Sequence, residues 1–272
     1  MTSRGRHAGL LWSLAVGIFA LSPLVIIVIS SFSSVAFGTW PPPGWSLRWY
    51  ANLGEQGGLL DAVALSLVVA IPTTLLSIAV GLSASVALVR HTFVGRRLVE
   101  GLSFAPVVVP KVALGFALFI YLNRLGLFNL GPIGLIAAHV VITLPFATTF
   151  LSAALVRADS EVEAAAVDLG ATPLIAFLRV GLPQIRDALI ATALFVFIIS
   201  FDEVDTSVFL IPLNEQTLPT WMFQYMQKYQ DPTLAALSTV LIAISLTVAA
   251  GVAALLNRSG VLATLLSSNQ RS

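Results

Sequence analysis

The chain has 272 residues, 57% of them hydrophobic and only 10% charged, with a mean hydropathy of +0.94. Soluble globular domains do not carry this composition, so the expectation is one integral membrane domain over residues 1–272 without a soluble appendage. Cysteine is absent, which excludes disulfides, thiolate metal sites and thiol redox chemistry. The three histidines are scattered and the net charge of +1 comes without a basic run interleaved with aromatics, which argues against a metal site and against nucleic acid as a partner.

From the N-terminus, Arg4, Arg6 and His7 precede an uncharged run of which residues 10–31 can cross a bilayer. A secretory signal core is roughly 7 to 15 residues, so this run is read as a first transmembrane helix. Residues 33–58 follow with Trp40, three consecutive prolines, Trp45, Trp49 and Tyr50, which suit an external loop at the bilayer interface. A second span lies between Asp61 and Arg90 and contains Pro72. Arg90, His91, Arg96 and Arg97 form a basic turn, placed inside by the positive-inside rule. The third span, residues 102–122, carries Pro106, Pro110 and Lys111, and the fourth, residues 133–156, carries His139 and Pro145.

Residues 157–183 are too polar to lie in lipid, yet they have internal order. Asp159 or Ser160 can cap a helix through the alanines, Gly170 breaks it, and Thr172-Pro173 starts a second short helix. Leu182-Pro183 is expected to end the segment, because proline removes a donor and disfavours helix in the residue before it. Two short helices with an elbow, flanked by Arg157, Arg179 and Arg186, make a compact knob on the cytoplasmic face. A fifth span runs from residue 188 to about 213, an external loop carries Trp221, Tyr225, Lys228 and Tyr229, and a sixth span covers residues 234–256 before Arg258. Ten of the fourteen Lys and Arg then fall on cytoplasmic segments, which favours six helices with both termini inside. Prolines in five of these helices argue for bends where neighbours or a cavity satisfy the freed carbonyls.

The elbow resembles the cytoplasmic loop of permease subunits of binding-protein-dependent ABC importers. Gly170, nine intervening residues, Val180, Gly181, Leu182 and Pro183 keep that loop's spacing, although its glutamate would fall on Ala164 and the nearest one here is Glu163. The SLRWY stretch around Trp49, TLPTWMF from Thr217 and DPTLAALST from Asp231 are similar to the polyamine-type branch. The resemblance implies an all-α polytopic fold of the type I importer permease kind and a bacterial inner-membrane location. It also implies a second, homologous permease subunit, a cytoplasmic ATPase dimer that binds ATP and Mg, and an extracytoplasmic solute-binding protein. Glu163, Ala164, Ala165, Asp168, Gly170, Leu182 and Pro183 would couple the chain to the ATPase, with Glu163 supplying the acidic contact. No Gly-rich loop ending in Lys-Ser or Lys-Thr is present, so the chain is not itself an ATPase and is not expected to be an enzyme or to hold a cofactor.

Ionisable groups at membrane depth are costly and mark functional sites. On an unbroken fifth helix, Asp202, Glu203 and Asp205 would lie about 22 Å or more from Asp187, with Asp202 and Asp205 on one face and Glu203 elsewhere. Lys111 would lie about 15 Å into the third helix. Lys111 either pairs with Asp202 or Glu203 as a structural link, or faces the cargo, and these four residues are the candidate substrate path. His139 is read as a structural donor in a helix interface. An acidic path suits a polyamine-like cation, whereas an unpaired lysine suits a zwitterionic amino-acid derivative or a phosphonate. Two further classes remain: an intramembrane serine protease using Ser83, in Gly81-Leu82-Ser83-Ala84, with His139, and a solitary ion-coupled carrier. The carrier would ordinarily show an internal repeat, and none is visible.

Overall fold

A computed structural model describes residues 3–36, 39–126, 131–211 and 215–258. Among them the regular structure is helical, with one isolated bridge between Ser33 and Trp45. They divide into two compact units, one of residues 58–223 and one of the described residues before 58 and after 223.

In the second of these units, α1 (Ser3–Ser31) and α2 (Arg48–Glu55) each pack on α13 (Thr233–Arg258). Trp49 donates its indole N–H to the Ser33 carbonyl at 2.7 Å, and Asn52 donates to the Thr233 hydroxyl at 2.8 Å. Asp231 caps α13 by accepting the Thr233 N–H at 2.9 Å. Most of the apolar stretch Leu11–Ser31 of α1 is left exposed, Trp12 by 73% and Phe19 by 80%, as a surface against lipid requires.

The unit of residues 58–223 is built on α3 (Leu59–Arg90) and α6 (Pro132–Arg157). Their contact is lined by small and hydroxylated side chains, because without a hydrophobic drive in lipid, helices associate through close packing and hydrogen bonds. Ser77 and Thr143 share a hydrogen bond at 2.7 Å, and Ser85 donates to the Thr148 carbonyl at 3.0 Å. At Gly81 an added Cβ would come within 2.7 Å of the Ala147 Cβ, so only glycine permits this approach. Ser83 points the other way and donates to the Ala79 carbonyl of its own helix.

Three helices are long and apolar enough to cross a bilayer unbroken: α1 over Leu11–Ser31, α3 and α6. Up to two more crossings come from bent pairs, where six spans were expected, and the apolar stretch Thr233–Val248 of α13 is shorter. The expected third span is in fact α4 (Arg96–Val108) and α5 (Lys111–Arg124), meeting at 113°. Val109 and Pro110 are both extended there, since proline disfavours the helical region in the residue before it. Lys111 therefore begins a helix and does not lie midway along one.

The expected fifth span is also interrupted. The helix α10 (Arg186–Phe201) stops at Asp202, and α11 (Ser207–Leu210) follows only after a turn. The expected end of this span near Leu213 lies outside the described residues. The helix α12 (Leu218–Lys228), whose residues up to Phe223 belong to this unit, begins with the Leu218 N–H donating to Ser66 on α3 at 2.7 Å, and the elbow helices are described below.

Candidate functional site

The acid-rich turn between α10 and α11 is shaped by its own residues. Glu203 turns back and accepts the Thr206 N–H at 3.1 Å, satisfying a donor that a continuing helix would have used, and the Ser207 hydroxyl donates to the Glu203 carbonyl at 2.8 Å. With the helix stopped, the face assignment made for an unbroken helix no longer applies. Glu203 is the buried carboxylate, whereas Asp202 and Asp205 are both exposed.

Lys111 closes the pair that the sequence left open. Its ammonium lies 2.9 Å from the second Glu203 oxygen, with the lysine side chain 52% exposed and the glutamate 1%. A cation at the first position of a helix is opposed by the positive end of the helix dipole, and the Glu203 carboxylate beside it offsets that cost. One turn on, Gly115 lets α5 sit on the turn: a Cβ there would lie 3.0 Å from both the Thr206 Cα and the Phe209 ring. Phe116 and Phe209 then meet edge to face at 6.3 Å.

His139 holds the turn from the opposite side. Its Nδ1 is 2.9 Å from the Ser200 hydroxyl, at the end of α10, and its Nε2 is 2.9 Å from the Ser207 hydroxyl, at the start of α11. Because the Ser207 proton is committed to the Glu203 carbonyl, Nε2–H donates and Nδ1 accepts from Ser200. Each ring nitrogen thus grips one side of the interruption, which is the structural role expected for this histidine. Ser200 and Ser207 were not singled out in the sequence, though a histidine at membrane depth demands partners and two serines bracketing an acidic stretch are candidates.

The elbow follows the local signals closely. Asp159 caps α7 (Ser160–Asp168) by accepting the Glu161 N–H at 2.9 Å, and Glu161 and Glu163 in the first turn complement the helix dipole. Gly170 has φ +98° and ends the helix: the Ala171 N–H reaches the Ala166 carbonyl at 3.1 Å and the Gly170 N–H the Val167 carbonyl at 2.8 Å. Thr172 caps α8 (Pro173–Ala176) at 3.4 Å from the Ile175 N–H, with Pro173 in the first turn.

Leu182-Pro183 does not end the segment as expected. A π turn, Phe177–Gly181, leads into α9 (Leu182–Gln184), and the Leu182 N–H reaches back five residues to the Phe177 carbonyl. The widened turn relieves the crowding that a proline ring imposes on the carbonyl four residues before it, so the chain stays helical through Pro183. The bend comes at Ile185, where α8–α9 and α10 meet at 75°.

Of the predicted coupling residues, Ala164, Ala165, Asp168 and Gly170 are exposed on or beside α7, Pro183 is exposed on α9, and Leu182 is half-buried. Glu163 faces inward, its carboxylate 3.1 Å from the Arg90 guanidinium at the end of α3, with both side chains 19% exposed. Arg90, Ser160, Glu163, Ala164, Val167 and Pro173 line a cleft of about 220 Å³. The elbow displays large apolar side chains in a segment too polar for lipid: Leu169 is 90% exposed, Leu174 67% and Val162 51%. The pairing of Ser83 with His139 required by a serine protease is absent, since each makes the other contacts given above. Among the described residues no group of three His, Asp or Glu could hold a metal ion.

The chain is 33% identical over 234 residues to the putrescine transport system permease protein PotI of Escherichia coli, covering 82% of each chain. It is 31% identical over 225 residues to the spermidine/putrescine transport system permease protein PotC of Haemophilus influenzae, covering 82% of this chain and 86% of that one. Its fold matches a bacterial ABC transporter involved in the import of the acidic polysaccharide alginate, with a TM-score of 0.66 at 15% identity over 93% of this chain and 97% of that one. The family described as binding-protein-dependent transport system inner membrane component matches residues 77–259. The chain belongs to that family and is a multi-pass, all-helical permease subunit of an ABC importer.

Proposed function

We propose that the chain forms half of the translocation path for a small polyamine-like organic cation. The observation that carries this reading is the pairing of Lys111 with Glu203. Three carboxylates and one ammonium leave two negative charges, and those reside on the exposed Asp202 and Asp205. A zwitterionic amino-acid derivative or a phosphonate would need a free lysine to hold its anionic group, and Lys111 is engaged. The names of PotI and PotC point to the same class of cargo.

The partners follow from the family: a second, homologous permease subunit completing the path, an ATPase dimer holding ATP and Mg, and an extracytoplasmic binding protein delivering cargo. With α13 counted as a sixth crossing and both termini in the cytoplasm of a bacterium, the elbow would face the ATPase, as its flanking arginines favour. The exposed Leu169 and Leu174 on a polar segment supply apolar area of the kind that docks into a protein groove. Closure of the ATPase dimer would move the elbow as a rigid body and tilt α6 and α10, to which it is covalently joined.

The test is ATP-driven uptake by the complete importer in proteoliposomes, comparing putrescine, 2-aminoethylphosphonate and succinate at equal concentration. Accumulation of putrescine at least tenfold above the other two is expected. Accumulation of the phosphonate or of succinate in its place overturns the cation reading.

A further inference from the structure

We infer that Arg90 is a positioning residue that ties the elbow to α3, so that displacement of the elbow reaches this long helix directly and not only through the covalent joints to α6 and α10. The inference rests on the reading that the elbow receives the ATPase. Three observations meet at one carboxylate. Glu163, on α7, sits 3.1 Å from the Arg90 guanidinium, and neither side chain is more than 19% exposed. A pair so shielded is far less screened than one on the open surface. The same Glu163 oxygen lies 2.7 Å from the Cβ position of Gly181, and the Phe177 ring lies 2.9 Å from it, so the carboxylate rests on the π turn where only glycine leaves room. Glu163 therefore joins α7, the π turn and α3.

The elbow is also closed on itself, so that what moves one end moves the other. The Asp159 N–H donates to the Gln184 Oε1 at 2.8 Å and the Gln184 Nε2 donates back to the Asp159 carbonyl at 3.3 Å, clamping the start of α7 to the end of α9. Among the described residues Arg90 Nε has no hydrogen-bond partner, and the side chain's ion pair to the elbow is the one with Glu163. Beyond it, α3 runs packed along α6 and against α10, the helix that ends at the acid turn. A push on the closed elbow is thus delivered at Arg90 to a helix with no peptide connection to it.

The experiment uses the complete importer in proteoliposomes, with whichever of the three probes named above the wild-type assembly accumulates, and records uptake and ATP hydrolysis in the same vesicles. Arg90→Gln is expected to keep ATP hydrolysis within about twofold, and Arg90→Gln and Glu163→Gln are each expected to lower solute moved per ATP at least fivefold. The double variant should be no worse than either single one, because both remove one link. Arg90→Lys, which keeps the charge, should recover much of the ratio. An unchanged ratio in both single variants, or losses that multiply in the double variant, overturns the inference. Should Arg90→Gln fail to assemble, Glu163→Gln preserves side-chain volume and carries the test alone. Gly170→Val is run beside them: if it lowers the ratio and the Arg90 and Glu163 variants do not, the elbow reading stands and the Arg90 link falls. If none of them alters the ratio, both fall.

Discussion

Replacing Lys111 by alanine strands the Glu203 carboxylate, and the expected result is a loss of about 1–3 kcal/mol in stability, the cost of leaving a buried acceptor without its partner. The two partners are not equivalent. Lys111 is half-exposed and can turn its ammonium to water when Glu203 is changed, whereas Glu203 is buried and has no such escape. Glu203→Gln should therefore cost clearly less than Lys111→Ala. The combined Lys111→Met, Glu203→Gln variant should recover most of the loss, because replacing both members of a buried pair by groups of similar shape is often close to neutral. Thermal unfolding of the detergent-solubilised complex checks the ordering. A Lys111→Ala variant as stable as wild type would mean that the pair does not hold α5 onto the turn.

The second large effect is expected at Gly170. Nothing lies within 4 Å of the position a Cβ would take, so a substitution meets no clash and acts through the backbone alone. With φ at +98°, a β-branched residue is strained whatever the space around it, while asparagine is the side chain that tolerates this region best. Gly170→Val should dissolve the helix end made by the Ala171 and Gly170 N–H groups and displace α8 relative to α7. The protein should still insert, since the spans are untouched, but solute moved per ATP should fall at least tenfold, with Gly170→Asn affected much less. Equal uptake by wild type and Gly170→Val would remove the elbow from the coupling mechanism.

The elbow was legible because every signal that shapes it is local: the Asp159 cap, Gly170, and Thr172-Pro173 act within a few residues of themselves. Pro183 misled because the cost of a helical proline can be absorbed upstream, here by the π turn at Phe177–Gly181, and nothing in the spacing announces that. The interruption after Phe201 was invisible for a different reason. No proline or glycine marks it, the acids at 202, 203 and 205 read equally well as charges carried on a continuous helix, and it is held by His139 and Lys111, which lie far away in the chain. That also explains why the charged residues could be named but not their roles. Which of Asp202 and Glu203 binds Lys111 depends on a turn that only the fold creates.

The central claim is that Asp202 and Asp205 guide a cation past this turn, and uptake by Asp202→Asn, Asp205→Asn and the double variant tests it most directly. An aspartate about 5 Å from a passing ammonium attracts it by about 3 kcal/mol at an effective dielectric near 20, enough for a hundredfold effect if wholly lost. Because the binding protein sets capture of the cargo, the change should appear in the maximal rate and not in the half-saturating concentration. The double variant is predicted to take up putrescine at least tenfold more slowly than wild type, with ATP hydrolysis and assembly retained. Putrescine uptake at the wild-type rate in the double variant would contradict the account.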